Sequence, residues 1–143
     1  MSVELGGGIV ARSDDPVLLF EPGRYPVAYF PRADIADGAL QETDRRTTHP
    51  DLGETSWFDV VGADGQVSRR AAWEHVDPPA QAAALRGTVA FGWRAMDAFY
   101  EEDERILGHA ADPYHRIDIR RSSRHLEVRN GDELVADTHA PLV

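Results

Sequence analysis

The sequence predicts a mainly β protein, antiparallel in its pairing, with one or two short helices. Three observations carry that expectation. Short runs rich in Val, Ile, Phe, Tyr and Trp recur along the chain between Gly, Pro and Asp residues. The pairs Asp64-Gly65 and Asn130-Gly131 supply the positive φ angles of tight hairpin turns. Helical periodicity is scarce.

Taken in order, Gly6-Gly7-Gly8 reads as a hairpin turn, followed by strand-type residues at 9–11, 17–20 and 27–30. A short helical turn is expected after Pro31. Strands follow at 56–61 and 72–76, joined by the Asp64-Gly65 turn. A helix is expected over 78–86, with Asp77 as N-cap, prolines in the first turn where no amide donor is needed, and Gly87 as the stop. Strand residues resume at 88–91. Residues 94–107 fit a helical face through Met96, Phe99 and Tyr100, but also a strand followed by an acidic turn, and the second reading is preferred. Further strands are expected at 117–119, 126–128 and 134–136.

An internal repeat links the two ends. Residues 9–19 (IVARSDDPVLL) and 134–143 (LVADTHAPLV) align at an offset of 125, matching Val10 with Val135, Ala11 with Ala136, Ser13 with Thr138 and Pro16 with Pro141. The proline-bearing stretch HAADPY at 109–114 is the expected boundary. Residues 1–111 are therefore read as one domain, and 112–143 as a hairpin resembling the start of a second copy. Such a hairpin is marginal alone, so it is expected to dock on the first domain or to exchange with a partner chain in a homodimer.

Composition narrows the function classes. The absence of cysteine excludes disulfides, thiolate catalysis and Cys-rich zinc sites. All basic residues are arginine, so Schiff-base chemistry and a lysine-bearing phosphate loop are excluded too. A net charge of −10 opposes binding to nucleic acid or an anionic membrane. No apolar run approaches the roughly 20 residues of a membrane helix, and nothing at the N-terminus resembles a signal peptide. A cytoplasmic location is the expectation.

The stretches FEPGRYPVAYFPRADI (20–35), DRRTTHPDLGETSWFDV (44–60), AAWEHVDPP (71–79), GTVAFGWRAMDAFYEEDE (87–104) and DPYHRIDIRRSSRHLEV (112–128) together resemble the bacterial domain of unknown function 427 family. A common form of that family carries two tandem copies, and this chain resembles the first copy plus the opening hairpin of the second. The resemblance implies a β-tent-like fold, two antiparallel sheets leaning together, akin to the ligand-binding domain of cereblon and to Yippee-type proteins. It implies no established activity. Where the family's other copy reads T-x-C-P-Y-K-G, this chain has Thr48-His49-Pro50-Asp51-Leu52-Gly53, without the thiol or the amine.

The candidate ligand-binding residues are Trp57, Trp73, Trp93, His49 and Arg32. Indole rings converging on one cleft would enclose a flat heterocycle or a cation, as the aromatic cage of β-tent relatives does. His49 is expected in a loop with Asp51 and Glu54 just before Trp57, and is a candidate polar anchor or general base. Arg32 is a candidate grip for a carboxylate. The residues Glu101 to Glu104, His109, Asp112, His115 and Asp118 are metal-like, yet the five arginines from Arg116 to Arg129 can neutralise them, and no metal or cofactor is expected. Ser122-Ser123-Arg124-His125 lacks any nucleophile-elbow pattern. The leading expectation is a small-molecule-binding domain. The rivals are an enzyme using His49 or a carboxylate in the same pocket, and an assembly module that pairs through the terminal hairpin.

Overall fold

A computed structural model of the chain describes residues 1–110, 112, 114, 117 and 119–143. Among these residues twelve strands form: β1 Ser2–Leu5, β2 Gly8–Arg12, β3 Val17–Leu19, β4 Val27–Pro31, β5 Leu40–His49, β6 Gly53–Val61, β7 Val67–His75, β8 Thr88–Phe91, β9 Ala98–Glu101, β10 Glu104–Ile106, β11 Leu126–Asn130 and β12 Glu133–Thr138. Six of them make a sheet in the order β3-β4-β8-β7-β6-β5, four a sheet in the order β10-β9-β1-β2, and β11-β12 stand as a separate ribbon. Every strand pairing is antiparallel. The mainly β fold read from the sequence is the fold observed.

The main core lies between the two larger sheets. Val3, Leu5, Val10 and Ala11 of the smaller sheet meet Ala28, Phe30, Phe58, Val60, Ala72, Val89 and Phe91 of the larger. Successive side chains of a strand face opposite ways, so the alternate residues of the larger sheet face outward. Tyr29, Ala90 and Trp73 gather there with Leu52 and Leu85 in a second cluster. The larger sheet is thus packed on both faces, and its outer face carries the site described below.

Turn chemistry governs the hairpins. Gly6 and Gly7, both at positive φ, close β1 onto β2, and Gly65 and Gly131 do the same for the β6–β7 and β11–β12 turns. Gly62 is required for a different reason. A Cβ there would stand 2.8 Å from the Leu5 carbonyl oxygen and 3.1 Å from Gly6 Cα, so the ends of the two sheets touch backbone to backbone.

Among the described residues helix is confined to three short 3₁₀ turns, Arg32–Asp34, Ala80–Leu85 and Trp93–Ala95. The expected helix over 78–86 is shorter than the sequence reading, and Asp77 is not its cap. Pro79 occupies the cap position, Ala82 breaks the helical dihedrals, and the Asp77 carboxylate instead accepts from Arg86 at 3.2 Å. With prolines on one side and Gly87 on the other, too few residues remain to offset α-helix nucleation. Residues 94–107 resolve into a 3₁₀ turn, β9, a tight turn at Glu102-Asp103 and β10, which agrees with the strand reading. The expected strand at 117–119 falls partly outside the described residues, as does the boundary at residue 111.

The internal repeat is visible as geometry. In the first hairpin Ser2 pairs with Arg12, Val3 with Ala11, Glu4 with Ile9 and Leu5 with Gly8, with a bulge after Val3. In the second Glu127 pairs with Asp137, Val128 with Ala136, Arg129 with Leu134 and Asn130 with Glu133, with a bulge after Val128. Each pairing, bulge included, recurs at the offset of 125 found in the sequence. The surroundings differ. Val3 and Val10 are 0% and 2% exposed, whereas Val128 and Val135 are 46% and 63% exposed, because the first hairpin packs its face against the six-stranded sheet while the second, among the described residues, forms a two-stranded sheet outside that core.

Residues 120–124, just before the ribbon, are engaged by charge. Arg124 bonds Glu102 and Asp14, each at 2.8 Å, Ser122 donates to Glu102 at 2.8 Å, and Arg120 stands 3.3 Å from Glu101. Members of the acidic run are therefore engaged by arginines. His115 and Asp118 of the metal-like group lie outside the described residues.

Candidate functional site

On the outer face of the six-stranded sheet, β6 and β7 run antiparallel with Trp57 directly opposite Trp73. Direct cross-strand neighbours on one face touch, and the two indoles meet at a centroid distance of 5.5 Å and an angle of 38°. Two residues further along each strand, on the same face, stand Thr55 and His75, also a cross-strand pair. Tyr29 of β4 completes the floor. A cleft of about 410 Å³ opens above them, walled by the two indoles and rimmed by Glu21, Arg24, Thr47 and His49. That volume lies within the range of small-molecule sites.

The floor is a chain of hydrogen bonds. Trp73 Nε1 donates to the Tyr29 hydroxyl oxygen at 3.1 Å, that hydroxyl lies 3.0 Å from His75 Nε2, and His75 Nδ1 lies 3.2 Å from Thr55 Oγ1. A neutral imidazole has one donor and one acceptor nitrogen. If Nδ1 carries the proton it donates to Thr55, Tyr29 donates to Nε2, and the Thr55 hydroxyl hydrogen is left over. If Nε2 carries it, the order reverses and the Tyr29 hydrogen is left over. Either way the chain holds one more hydroxyl hydrogen than it uses. Burial pushes the His75 imidazole below its ordinary value near 6.5, with His49 acting in the same direction and Glu21 against, so the neutral ring is favoured. Burial also raises the Tyr29 phenol to about 12, against the Trp73 donor that lowers it. The floor is thus uncharged at neutral pH.

The rim is charged and ordered differently. His49 Nδ1 accepts from the backbone N–H groups of Asp51 and Leu52, each at 3.2 Å, so its proton sits on Nε2 and is donated to Glu21 Oε1 at 3.0 Å. Both ring nitrogens are committed. Trp57 is fixed from behind, its Nε1 donating to Thr47 Oγ1 at 2.9 Å and its ring lying 5.1 Å from the Arg45 guanidinium.

The family model for a domain of unknown function, DUF427, matches residues 1–102. The chain belongs to this family. No curated protein matches it. In this DUF427 chain the structure brings Trp57, Trp73 and His49 to the cleft and leaves Trp93 and Arg32 elsewhere. Trp93 sits in the 3₁₀ turn after β8, stacked at 3.9 Å on Phe99 against the main core. Arg32 bonds Glu74 at 2.9 Å and lies 5.0 Å from the Phe58 ring. Glu74 falls between Trp73 and His75 on β7, so its side chain leaves by the opposite face of the sheet.

Tyr29, Thr55, His75 and Glu21 belong to the DUF427 cleft without having been singled out in the sequence. The signal was there in strand parity: once Phe58 and Phe30 are assigned inward, Trp57, Thr55 and Tyr29 must point outward together. Among the described residues no helix is long and apolar enough to cross a membrane.

Proposed function

We propose that the cleft binds a small, flat molecule that presents a hydrogen-bond acceptor to the floor and a donor to Glu21. The observation that carries this reading is the surplus hydroxyl hydrogen of the Tyr29–His75–Thr55 chain, set beneath an indole wall. A flat ring laid along Trp57 and Trp73 buries apolar surface on one side, while its edge acceptor takes the spare hydrogen. Binding is favoured over turnover because His49, the sequence's candidate base, has no free lone pair in this arrangement. Quenching of indole fluorescence by a metabolite library tests the reading. A saturable response that disappears in Trp73→Phe and survives in Trp93→Phe is expected, and a library without any saturable quencher opposes the proposal.

A second reading, assembly of two chains through the terminal ribbon, is favoured by the exposed edge of β11. Antiparallel pairing of β11 with its twin about Val128 would set each Glu127 opposite Arg129 of the other copy, matching charge twice. Light scattering is expected to give twice the 15.8 kDa chain mass, reverting to one chain in Val128→Lys. A single-chain mass at all concentrations would exclude it.

A further inference from the structure

The ribbon carries a second chemical feature, unrelated to the cleft. His125 lies just before β11 and His139 just after β12, and Leu126 pairs with Thr138. Extending that register sets His125 opposite His139, and their rings stack at 4.1 Å with an angle of 14°. The adjacent pair on the same face is Glu127 with Asp137, because residues two apart on a strand share a face. Two imidazoles and two carboxylates therefore crowd one face of a two-stranded ribbon at its open end. His125 Nε2 is 2.7 Å from Asp137 Oδ1 and 3.8 Å from Glu127 Oε1. Ligand atoms of His125, Asp137 and His139 all lie within 4.8 Å of one another.

Like charges directly opposite each other destabilise a strand pair. Here Arg129 engages Glu127 at 3.2 Å, while the partner of Asp137 is the ring of His125. The arrangement is not inherited from the repeat. At the same offset the first hairpin has Arg12 in place of Asp137 and Asp14 in place of His139. The terminal ribbon thus carries a carboxylate where the first has a cation, and an imidazole where the first has a carboxylate.

We propose that His125, Asp137 and His139 form a binding site for a divalent transition-metal ion of the zinc type, with Glu127 beside it. Two nitrogen ligands and one carboxylate suit zinc, nickel or cobalt and are a poor set for calcium or magnesium, which take oxygen. Zinc binds such ligands at about 2.0–2.2 Å in a tetrahedron, which places ligand atoms roughly 3.4 Å apart. The exposed rings reach that spacing by side-chain rotation. To bind through Nε2 the neutral His125 ring moves its one proton to Nδ1, and the doubly protonated ring cannot bind, so affinity falls as pH is lowered. Its position at the open end, opposite the Asn130-Gly131 turn, lets it join the two strands of a ribbon that is marginal unaided.

Calorimetric titration of the chelator-treated full-length chain with zinc alone tests this. One ion per chain is expected, with affinity that weakens as the pH is lowered. Binding should weaken by more than about 100-fold in either His125→Ala or His139→Ala, since loss of even an outer-sphere partner typically costs about 10- to 100-fold. Both positions are exposed, so each variant should keep the wild-type dichroism spectrum. Absence of saturable binding, or wild-type affinity in either variant, overturns the proposal.

Discussion

Removing one oxygen atom, in Tyr29→Phe, interrupts the floor of the cleft at its centre. The ring stays in place, since Tyr29 is 2% exposed and packed among Leu52, Leu85 and Ala90. His75, only 4% exposed, loses the partner of Nε2 and has little surface through which water can replace it. A buried polar group left without a partner costs about 1–3 kcal/mol. Trp73 is only partly buried, so its N–H regains water and adds at most the roughly 0.5–1.5 kcal/mol net worth of one hydrogen bond. Together these give a loss of about 2–3 kcal/mol. For a chain of 143 residues, roughly 3–4 °C per kcal/mol translates that into a Tm lower by roughly 6–12 °C. Urea unfolding followed by tryptophan emission measures it, with Tyr100→Phe as the control. Tyr100 also donates a hydrogen bond, to Glu4 at 3.1 Å, but in a more exposed setting, and that variant should lose less than about 1 kcal/mol. A loss below about 0.5 kcal/mol in Tyr29→Phe would refute the account of the floor as a buried, mutually dependent chain.

Three further outcomes follow from the same geometry. The lowered His75 value means that the unfolded chain takes up a proton below pH 6.5 while the folded chain does not; stability is therefore complete above that pH and declines as pH falls towards the folded value, with a shallower decline in His75→Gln on denaturation curves between pH 7.5 and 5. Val3→Asp and Val128→Asp alter the same register position of the two hairpins, yet the first buries a charge and should cost more than about 4 kcal/mol, whereas the second should stay within about 0.5 kcal/mol in thermal melts. Gly62→Ala drives a methyl against the backbone of Leu5 and Gly6 and should cost about 1–3 kcal/mol by urea unfolding, with no change in the fluorescence of the cleft.

The strands that could be read from the sequence were those whose alternation or turn residues declare them, such as β4, β8 and the flanks of the Asp64-Gly65 turn. The longest strand, β5, was not among them. Its residues Leu40–His49 read LQETDRRTTH, mostly polar, because it is the edge strand of its sheet and has little apolar surface to bury. β1 escaped notice because Ser2–Leu5 is short and carries only Val3 and Leu5 as a signal. The indoles illustrate the same limit at the site. Type alone put Trp57, Trp73 and Trp93 in one group, but which face of which sheet each occupies depends on strand order, and β8 passes Trp93 to the inner side. His49 was singled out and lies at the cleft with Trp57 and Trp73, while its tautomer depends on two backbone N–H groups that no sequence pattern announces.

The paired hairpins amount to a control experiment that the molecule performs on itself. One copy is pressed into an interior and the other stands in solvent, yet both bend at the corresponding residue. The instruction for that bend must therefore reside within the ribbon's own span, independent of what lies against it. Transplanted into another scaffold, either ribbon should bring its curvature along, leaving the outward side chains free to be rewritten for whatever chemistry the host requires.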